Sequence, residues 1–212
     1  LVSDRRPAPA VTLGSFLQVF RHGAAAWAVT TAGCYIAAQF SVYALVAPFL
    51  QERFGVLTDQ LSLAFLLAGV SSVIGNLAAG RFGDRLGAPR TLTGTILGLA
   101  SAFMLVLTLP ALPWVGIAAF AGWSMIGMAF YAPQQKRLVG LAPELRNLLL
   151  EMNSSSLYIG MSLGAAASSH AYGTLGVWSL PLVGVGFLLL AMGALALSRR
   201  AELRDTAGTL SA

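Results

Sequence analysis

Long apolar runs are the feature that most constrains this sequence. Runs of about 20 predominantly apolar residues match the length of a helix that crosses a bilayer. Of the 212 residues, 57% are hydrophobic and only 10% are charged, whereas a soluble domain usually carries about 25% charged residues. The sequence therefore predicts an all-α integral membrane protein. Its six predicted transmembrane helices cover residues 24–50, 59–80, 91–109, 113–134, 147–172 and 178–198.

The basic residues between these runs predict how the chain crosses the membrane. Twelve of the 13 lysines and arginines lie in the N-terminal segment, in the connections after the second and fourth spans, and in the C-terminal tail. The connections on the other side contain only Arg53. Basic residues are retained in the cytoplasm, and the Arg-, Ala- and Gly-rich composition favours a bacterial source. We therefore expect a bacterial inner (plasma) membrane protein with both termini in the cytoplasm.

The same pattern divides the chain into three segments. Residues 1–23 are predicted to be a cytoplasmic linker, residues 24–198 the six-helix transmembrane domain, and residues 199–212 a cytoplasmic tail. Apolar residues in the linker follow a helical spacing, which predicts either a short amphipathic helix on the membrane surface or an extension of the first span. These residues are Leu13, Phe16, Leu17 and Phe20.

Charge and cysteine content exclude several other classes of partner. The net charge of +5 comes from basic residues between the apolar runs, where the orientation of the chain in the membrane accounts for them. We therefore expect no nucleic-acid partner. The single cysteine, Cys34, lies in an apolar run and offers neither a disulfide framework nor the spacing of metal ligands. We expect no metal and no cofactor.

The sequence contains a weak internal repeat, which we call the internal echo. An offset of 89 residues places Gly75 on Gly164 and Gly87 on Gly176, and it aligns the first predicted span with the fourth and the second with the fifth. Each unit then has three spans, so the second unit must cross the membrane in the opposite sense. The echo predicts two inverted three-helix repeats, an arrangement typical of secondary transporters.

The segment GRFGDRLGAPR, residues 80–90, places glycines and charges between the second and third spans. It resembles the signature loop of the major facilitator superfamily, except that it ends in Ala-Pro-Arg instead of consecutive basic residues. The resemblance implies a conformational latch between the two halves of a transporter. Ordinary turn chemistry in a cytoplasmic loop is the alternative interpretation. The implied latch residues are Gly80, Gly83, Asp84, Arg85, Gly87 and Arg90.

A second segment, LAPELRNLLLEMNSSSLYIGMSLGAA at residues 141–166, is similar to the fifth helix of the second half in the family's bacterial drug and sugar efflux (drug:proton antiporter) branch. The opening residues resemble the linker between halves, so that the resemblance covers nearly the whole chain. It implies the C-terminal six-helix half of a fold that usually contains two such halves. The implied function is efflux of a small drug-like or sugar-like solute by alternating access, with protons as a candidate coupling ion. The implied partner is a missing N-terminal half, or a second copy in a homodimer.

Polar and aromatic residues in the first helix of each three-helix unit are candidate substrate contacts, because the family's central cavity is lined by these helices. Helix–helix hydrogen bonding explains Gln39 nearly as well, and bulk packing explains Trp123 equally well. The candidates are Tyr35, Gln39, Tyr43, Trp123, Tyr131 and Gln134.

Three small residues are candidate helix-packing positions: Gly75, Gly160 and Gly164. Glycines at such spacing let helix backbones approach closely in a membrane. The approaching helix could belong to the other half, to a second copy or to this half itself.

Alternatives from other classes remain open. Ser124 in GWSMIG and His170 in SSHAYGTLG resemble the nucleophile and base of rhomboid intramembrane proteases, which would need the two side chains within hydrogen-bond reach. The chain could also be a non-transporting membrane subunit or a truncated fragment. Glu151 is a candidate proton site, although its position one turn inside the fifth span favours contact with water. We predict that the chain is not an enzyme.

Overall fold

The computed structural model describes residues 23–210, with side chains to residue 204, and these residues form eight α-helices and one 3-10 turn at Pro143–Leu145. The prediction of an all-α chain is confirmed. The amphipathic helix predicted in the linker lies outside the described residues. The helices are α1 Gly23–Tyr43, α2 Val46–Phe54, α3 Thr58–Leu86, α4 Ala88–Thr108, α5 Pro113–Met128, α6 Tyr131–Leu141, α7 Arg146–Leu175 and α8 Ser179–Leu210.

Two prolines explain why the first and fourth predicted spans are each broken into two helices. A proline inside a helix lacks the N–H that would bond to the carbonyl four residues earlier, and its ring clashes with that carbonyl. Pro48 lies four residues after Ala44, where α1 gives way to α2 with a bend of 51°. Pro133 lies four residues after Ala129, where α5 gives way to α6. Both breaks therefore fall where the proline geometry requires them.

Helix length and hydropathy support four membrane spans within the described residues, or five if the bent pair α1–α2 is counted as one. The four are α3, α4, the range Pro113–Leu141 in which α5 and α6 together form one span, and Ser179–Arg204 of α8. Helix α7 has 30 residues, enough to span about 45 Å, but its serines, tyrosines and histidine make it less apolar than the others. The predicted count of six spans is therefore not reached by hydropathy, although each predicted range falls on a helix or a broken helix.

Hydropathy predicted the positions of the helices correctly but not the residues at which they end. Helix α3 continues to Leu86, six residues beyond the end of the second predicted span, and α8 continues through the predicted tail to Leu210. A change from apolar to polar residues marks where a helix leaves the hydrocarbon, and it does not by itself terminate the helix.

Polar contacts gather four chain segments at one end of the bundle. Lys136 of α6 pairs with Asp84 at the end of α3, with 2.5 Å between Nζ and Oδ1. The neighbouring Arg137 donates to Ser198 of α8 at 2.9 Å, and the Ser198 hydroxyl donates to the main-chain carbonyl of Ala24 at 2.5 Å. We call this end, with these five residues, the basic face. It unites the segments that charge placement predicts to share one side of the membrane.

A buried arginine joins three segments at the opposite end. The Arg53 guanidinium lies 4.7 Å from the ring centroid of Phe54 and 4.4 Å from that of Trp178. It donates to the carbonyl of Leu107 at 3.2 Å and to that of Leu109 at 2.5 Å, at the end of α4. A cation there complements the negative end of the helix dipole. The one basic residue predicted for this side is therefore part of the packed structure.

The packing of the helices has the symmetry that the internal echo predicts. Helix α1 packs on α7 and α8, and α5, its counterpart in the second unit, packs on α3 and α4. A Cβ added at Gly75 of α3 would overlap the backbone carbonyl of Met125 of α5, and one added at Gly164 of α7 would overlap that of Ala37 of α1. The two glycines are 89 residues apart and make equivalent contacts.

The helix ends repeat the same relation. Gly87 ends α3 with a φ of 82° and Gly176 ends α7 with a φ of 76°. Both angles lie in the left-handed region that glycine adopts without strain, so both turns require glycine. Gly160, also in α7, packs against the backbone of Gly33 in α1. Gly75, Gly160 and Gly164 therefore contact helices of this same chain, which is one of the alternatives that the sequence left open.

We predict that Gly164→Ala destabilises the chain by about 1–3 kcal/mol, because the new Cβ forces α7 away from the backbone of α1. Gly173→Ala, in the same helix, is the control, since a Cβ there meets nothing within 4 Å. Thermal unfolding in mild detergent, followed by circular dichroism, measures both. Equal unfolding temperatures for the two variants would contradict the close contact.

Candidate functional site

A pocket of about 550 Å³ lies among the helices of both units. Five aromatic rings and three polar uncharged side chains line it, and no charged side chain does. Sites of this kind bind solutes by apolar contact and use a few polar groups to fix their orientation. The lining residues are Gln39, Phe40, Tyr43, Ser72, Phe103, Trp123, Ser124, Met128 and Tyr131.

Gln39 and Tyr131 connect the two units across this pocket. The Tyr131 hydroxyl donates to Gln39 Oε1 at 3.4 Å. Gln39 is in α1 and Tyr131 is in α6, just after the proline break. The amide of Gln39 also lies against Gly127, where a Cβ would overlap it. The glycine therefore provides the space in which this amide is held.

Tyr35 occupies a buried position next to the pocket and does not line it. Its hydroxyl donates to the Gly127 carbonyl at 3.1 Å, and its ring stacks on Phe130 with 3.9 Å between the centroids. These contacts join α1 to the break between α5 and α6. Among the predicted contacts, Tyr35 thus has a structural role in this conformation.

Gln134 is likewise buried away from the pocket. Its Nε2 donates to the carbonyl of Ala28 at 2.8 Å, which joins α6 to α1. Of the six candidate substrate contacts, the structure therefore brings Gln39, Tyr43 and Tyr131 together around the pocket, and the fourth lining residue is Trp123. The indole of Trp123 belongs mainly to the aromatic core, and only 5% of this residue is exposed.

Ser124 lines the pocket, but the structure does not bring it to His170. Ser124 is in α5, which packs on α3 and α4, whereas His170 is exposed on α7, which packs on α1 and α8. The Ser124 hydroxyl has no hydrogen-bond partner within the described part of the chain. The geometry therefore gives no Ser–His pair and no support for the protease alternative.

The segment that resembles the family's signature loop is mostly helical. Gly80 and Gly83 lie within α3, and only Gly87 forms the turn into α4. A Cβ at Gly83 would lie 3.5 Å from the side chain of Pro133, an ordinary contact, and one at Gly80 would meet open space. Turn formation therefore involves only one of the three glycines, because α3 continues six residues beyond the end of the second predicted span.

The charges of this segment make one contact inside the chain. Asp84 pairs with Lys136, and both side chains remain about two-thirds exposed, at 68% and 64%. Arg85 is exposed and has no hydrogen bond or ion pair among the described residues. Arg90 lies at the edge of an apolar groove of about 810 Å³ between α3, α4 and α5. The arginines are thus available to groups outside this chain.

Arg137 is a buried residue whose role charge counting alone missed. Its Nη2 donates to Ser198 at 2.9 Å and to a carboxylate oxygen of Glu202 at 3.2 Å. Lys136 and Arg137 are adjacent, yet they bind in opposite directions, one to α3 and the other to α8. In the sequence, Lys136 and Arg137 indicated only which side of the membrane the end of the fourth span faces. The connection that they make between α3 and α8 is visible only in the structure.

The chain belongs to the major facilitator superfamily, because the model of that family matches residues 8–210. It is similar to the uncharacterized MFS-type transporter YbcL of Bacillus subtilis (strain 168), with 26% identity over 151 residues, which are 71% of this chain and 38% of that protein. It is also similar to the inner membrane transport protein YdhP of Escherichia coli O157:H7, with 27% identity over 169 residues, covering 74% and 42% of the two chains.

These comparisons confirm the family that the two sequence segments predicted. The chain spans only 38% and 42% of the length of these curated relatives. No solved structure matches it. Both relatives are transporters by name, one of them of the inner membrane. Together with the apolar helices, they support a multi-pass membrane protein.

We predict that Tyr35→Phe lowers the free energy of unfolding by about 1 kcal/mol, because it removes a buried hydrogen bond to the Gly127 carbonyl. Tyr43→Phe is the matched control in the same helix, since Tyr43 is 43% exposed and its hydroxyl has no hydrogen-bond partner among the described residues. Denaturation in mixed micelles compares the two. Equal stabilities would contradict the structural role of Tyr35.

Proposed function

We propose that this chain forms one half of a solute transporter of a bacterial inner membrane and works by alternating access with a second six-helix unit. The observation that carries the proposal is the uncharged aromatic pocket between two units related by an inverted repeat. Sites at such repeat interfaces are where secondary transporters bind their solutes. Membership of the superfamily and the names of the two relatives support the same function.

The exposed face of α7 supports contact with a second unit. A polar stripe at helical spacing runs along it, through Glu151, Ser155, Tyr158, Ser162 and Ser169. Ser155 and Ser162 donate to main-chain carbonyls of α7 itself. The side chains of Glu151 and Tyr158 have no hydrogen-bond partner among the described residues, and leaving them among lipid tails would be costly. We therefore propose that this face borders protein or water. The second unit is an N-terminal half or another copy of this chain.

The outer face of α3 is apolar and is compatible with the same pairing. Its inward residues are small and let α3 pack closely on α5, whereas Leu66, Val73 and Leu77 project outward and are each more than 60% exposed. Large apolar side chains of this kind suit the apolar surface of a second unit as well as lipid tails. The inward residues are Ala64, Ala68, Gly75, Ala79 and Gly83.

The chemistry of the pocket supports a small uncharged amphipathic solute. Aromatic rings offer flat apolar surface, and Gln39, Ser72 and Ser124 offer hydrogen bonds. A permanent charge would find no counter-charge among the lining residues. Drug-like and sugar-like solutes both meet this description, and we propose efflux as the direction from the resemblance of residues 141–166 to the efflux branch. Protons are the proposed coupling ion.

Transport by inverted vesicles tests the proposal, with radiolabelled chloramphenicol as a drug-like probe and isopropyl thiogalactoside as a sugar-like probe. Vesicles that contain the chain are expected to accumulate one of the two. We predict that Gln39→Ala lowers the initial rate about fivefold, since a hydrogen bond is worth about 1 kcal/mol. Gln135→Ala is the control, because Gln135 is exposed and outside the pocket.

The native mass of the purified particle, compared with 22.1 kDa for one chain, identifies whether a second copy provides the partner. A paired chain that accumulates neither probe would count against transport of uncharged amphipathic solutes. A chain that remains single and inactive would favour a fragment whose other half is supplied separately.

We predict that Asp84→Asn reduces transport while stability changes by less than about 1 kcal/mol, because the pair with Lys136 is exposed. Combining Asp84→Lys with Lys136→Asp restores the pair with reversed charges and is expected to recover part of the rate. Asp59→Asn is the control, an exposed aspartate at the other end of the same helix. Normal transport by Asp84→Asn would argue against a latch at this position.

A further inference from the structure

A second cavity, of about 710 Å³, lies at the basic face between the beginning of α1 and the last described part of α8. It is separate from the solute pocket, with which it shares no lining residue. One wall is apolar and the rim carries two arginines. Its lining consists of Gly23, Trp27, Leu197, Arg200, Ala201 and Arg204.

The two arginines face the same cavity without an acidic neighbour in it. Arg200 and Arg204 are one helical turn apart in α8, and like charges at this spacing repel each other. Both are exposed, and neither makes an ion pair within the part of the chain that the structure describes. The nearby carboxylate of Glu202 binds Arg137 inside the bundle. An anion between the two guanidinium groups would therefore relieve a repulsion that no acidic side chain of the described residues offsets.

Trp27 supplies the apolar side of the cavity. Its ring is 41% exposed, and it lies beside Leu197 and Ala201, close to the end of the bundle where Ala24 contacts Ser198. Tryptophan is enriched where hydrocarbon meets the polar headgroups, because its ring is apolar and its indole N–H donates a hydrogen bond. The cavity thus combines an apolar wall with a cationic rim, which is the pairing expected of a site at the depth of the headgroups.

We propose that this cavity binds an anionic phospholipid of the adjacent leaflet, with the phosphate group between Arg200 and Arg204 and the first part of an acyl chain against Trp27 and Leu197. Guanidinium groups bind phosphate oxygens through paired, charge-assisted hydrogen bonds. Basic pockets between membrane helices bind lipid headgroups in this way. A free phosphate ion would use the arginines alone and would leave the apolar wall uncovered, which is why the lipid is the favoured source.

Native mass spectrometry of the purified chain, released from phosphatidylcholine nanodiscs that contain phosphatidylglycerol, tests the proposal. The wild-type chain is expected to retain phosphatidylglycerol. The double variant R200Q/R204Q is expected to bind it roughly 25-fold more weakly, since each arginine near a membrane surface contributes about fivefold. R200K/R204K keeps the charges, so it is expected to recover part of the binding and to show that loss in the glutamine variant is not misfolding.

The matched control is R81Q/R146Q, which removes two exposed arginines that lie outside this cavity. Equal losses in the two glutamine double variants would overturn the site in favour of general attraction to basic residues. Complete displacement of the lipid by millimolar inorganic phosphate would overturn the lipid as the source. Retention of the lipid in that buffer supports it.

A second measurement locates the lipid in the cavity. Phosphatidylglycerol with brominated acyl chains is expected to quench tryptophan fluorescence of the wild-type chain more strongly than that of W27F, and brominated phosphatidylcholine is expected to quench the two chains with a smaller difference. If the brominated lipids gave the same difference between wild type and W27F, the selective site beside Trp27 would be excluded.

Discussion

The contact between a glycine and a backbone carbonyl, made twice, holds the two units of this bundle together. Gly75 meets Met125, and Gly164 meets Ala37. Burial of apolar surface drives helices together only weakly in a bilayer, because lipid tails are as apolar as leucine. Close van der Waals contact between the helices must therefore stabilise their association. Each contact brings the second helix of one unit onto the first helix of the other. The pocket lies between first helices, so its walls are positioned by these glycines.

The break before Pro133 lies next to the pocket. Helices α5 and α6 are separated there, although Pro113–Leu141 still forms one candidate membrane span. Tyr131, the first residue of α6, donates to Gln39, and Tyr35 donates to the Gly127 carbonyl near the end of α5. A helix break in a membrane is tolerated only where the freed backbone groups find partners, and the Tyr35 hydroxyl is one of them.

The apolar runs predicted where the helices lie, because the length of an apolar run can be read directly from the sequence. The internal echo at an offset of 89 residues predicted which glycine contacts and helix-ending turns of the first unit have a counterpart in the second. The neighbours of individual side chains could not be predicted. Tyr35 and Gln39 share one face of α1, but only Gln39 lines the pocket, because the ring of Phe130 stacks on Tyr35. A contact between residues so far apart in the sequence depends on tertiary packing. Arg53 and Arg137 counted as charges beside the membrane, yet both are buried, since each binds acceptors from segments distant in the sequence.

The opposite directions of Lys136 and Arg137 have a mechanical consequence. The two residues hold α6 to α3 on one side and to α8 on the other, so α6 cannot turn about its own axis without stretching one of the two ion pairs. The exposed pair of Lys136 with Asp84 crosses from one unit to the other, whereas Arg137 holds α6 to α8 of the same unit. A rotation of α6 relative to the first unit would therefore break the exposed pair first, because an ion pair in contact with water is the weaker of the two.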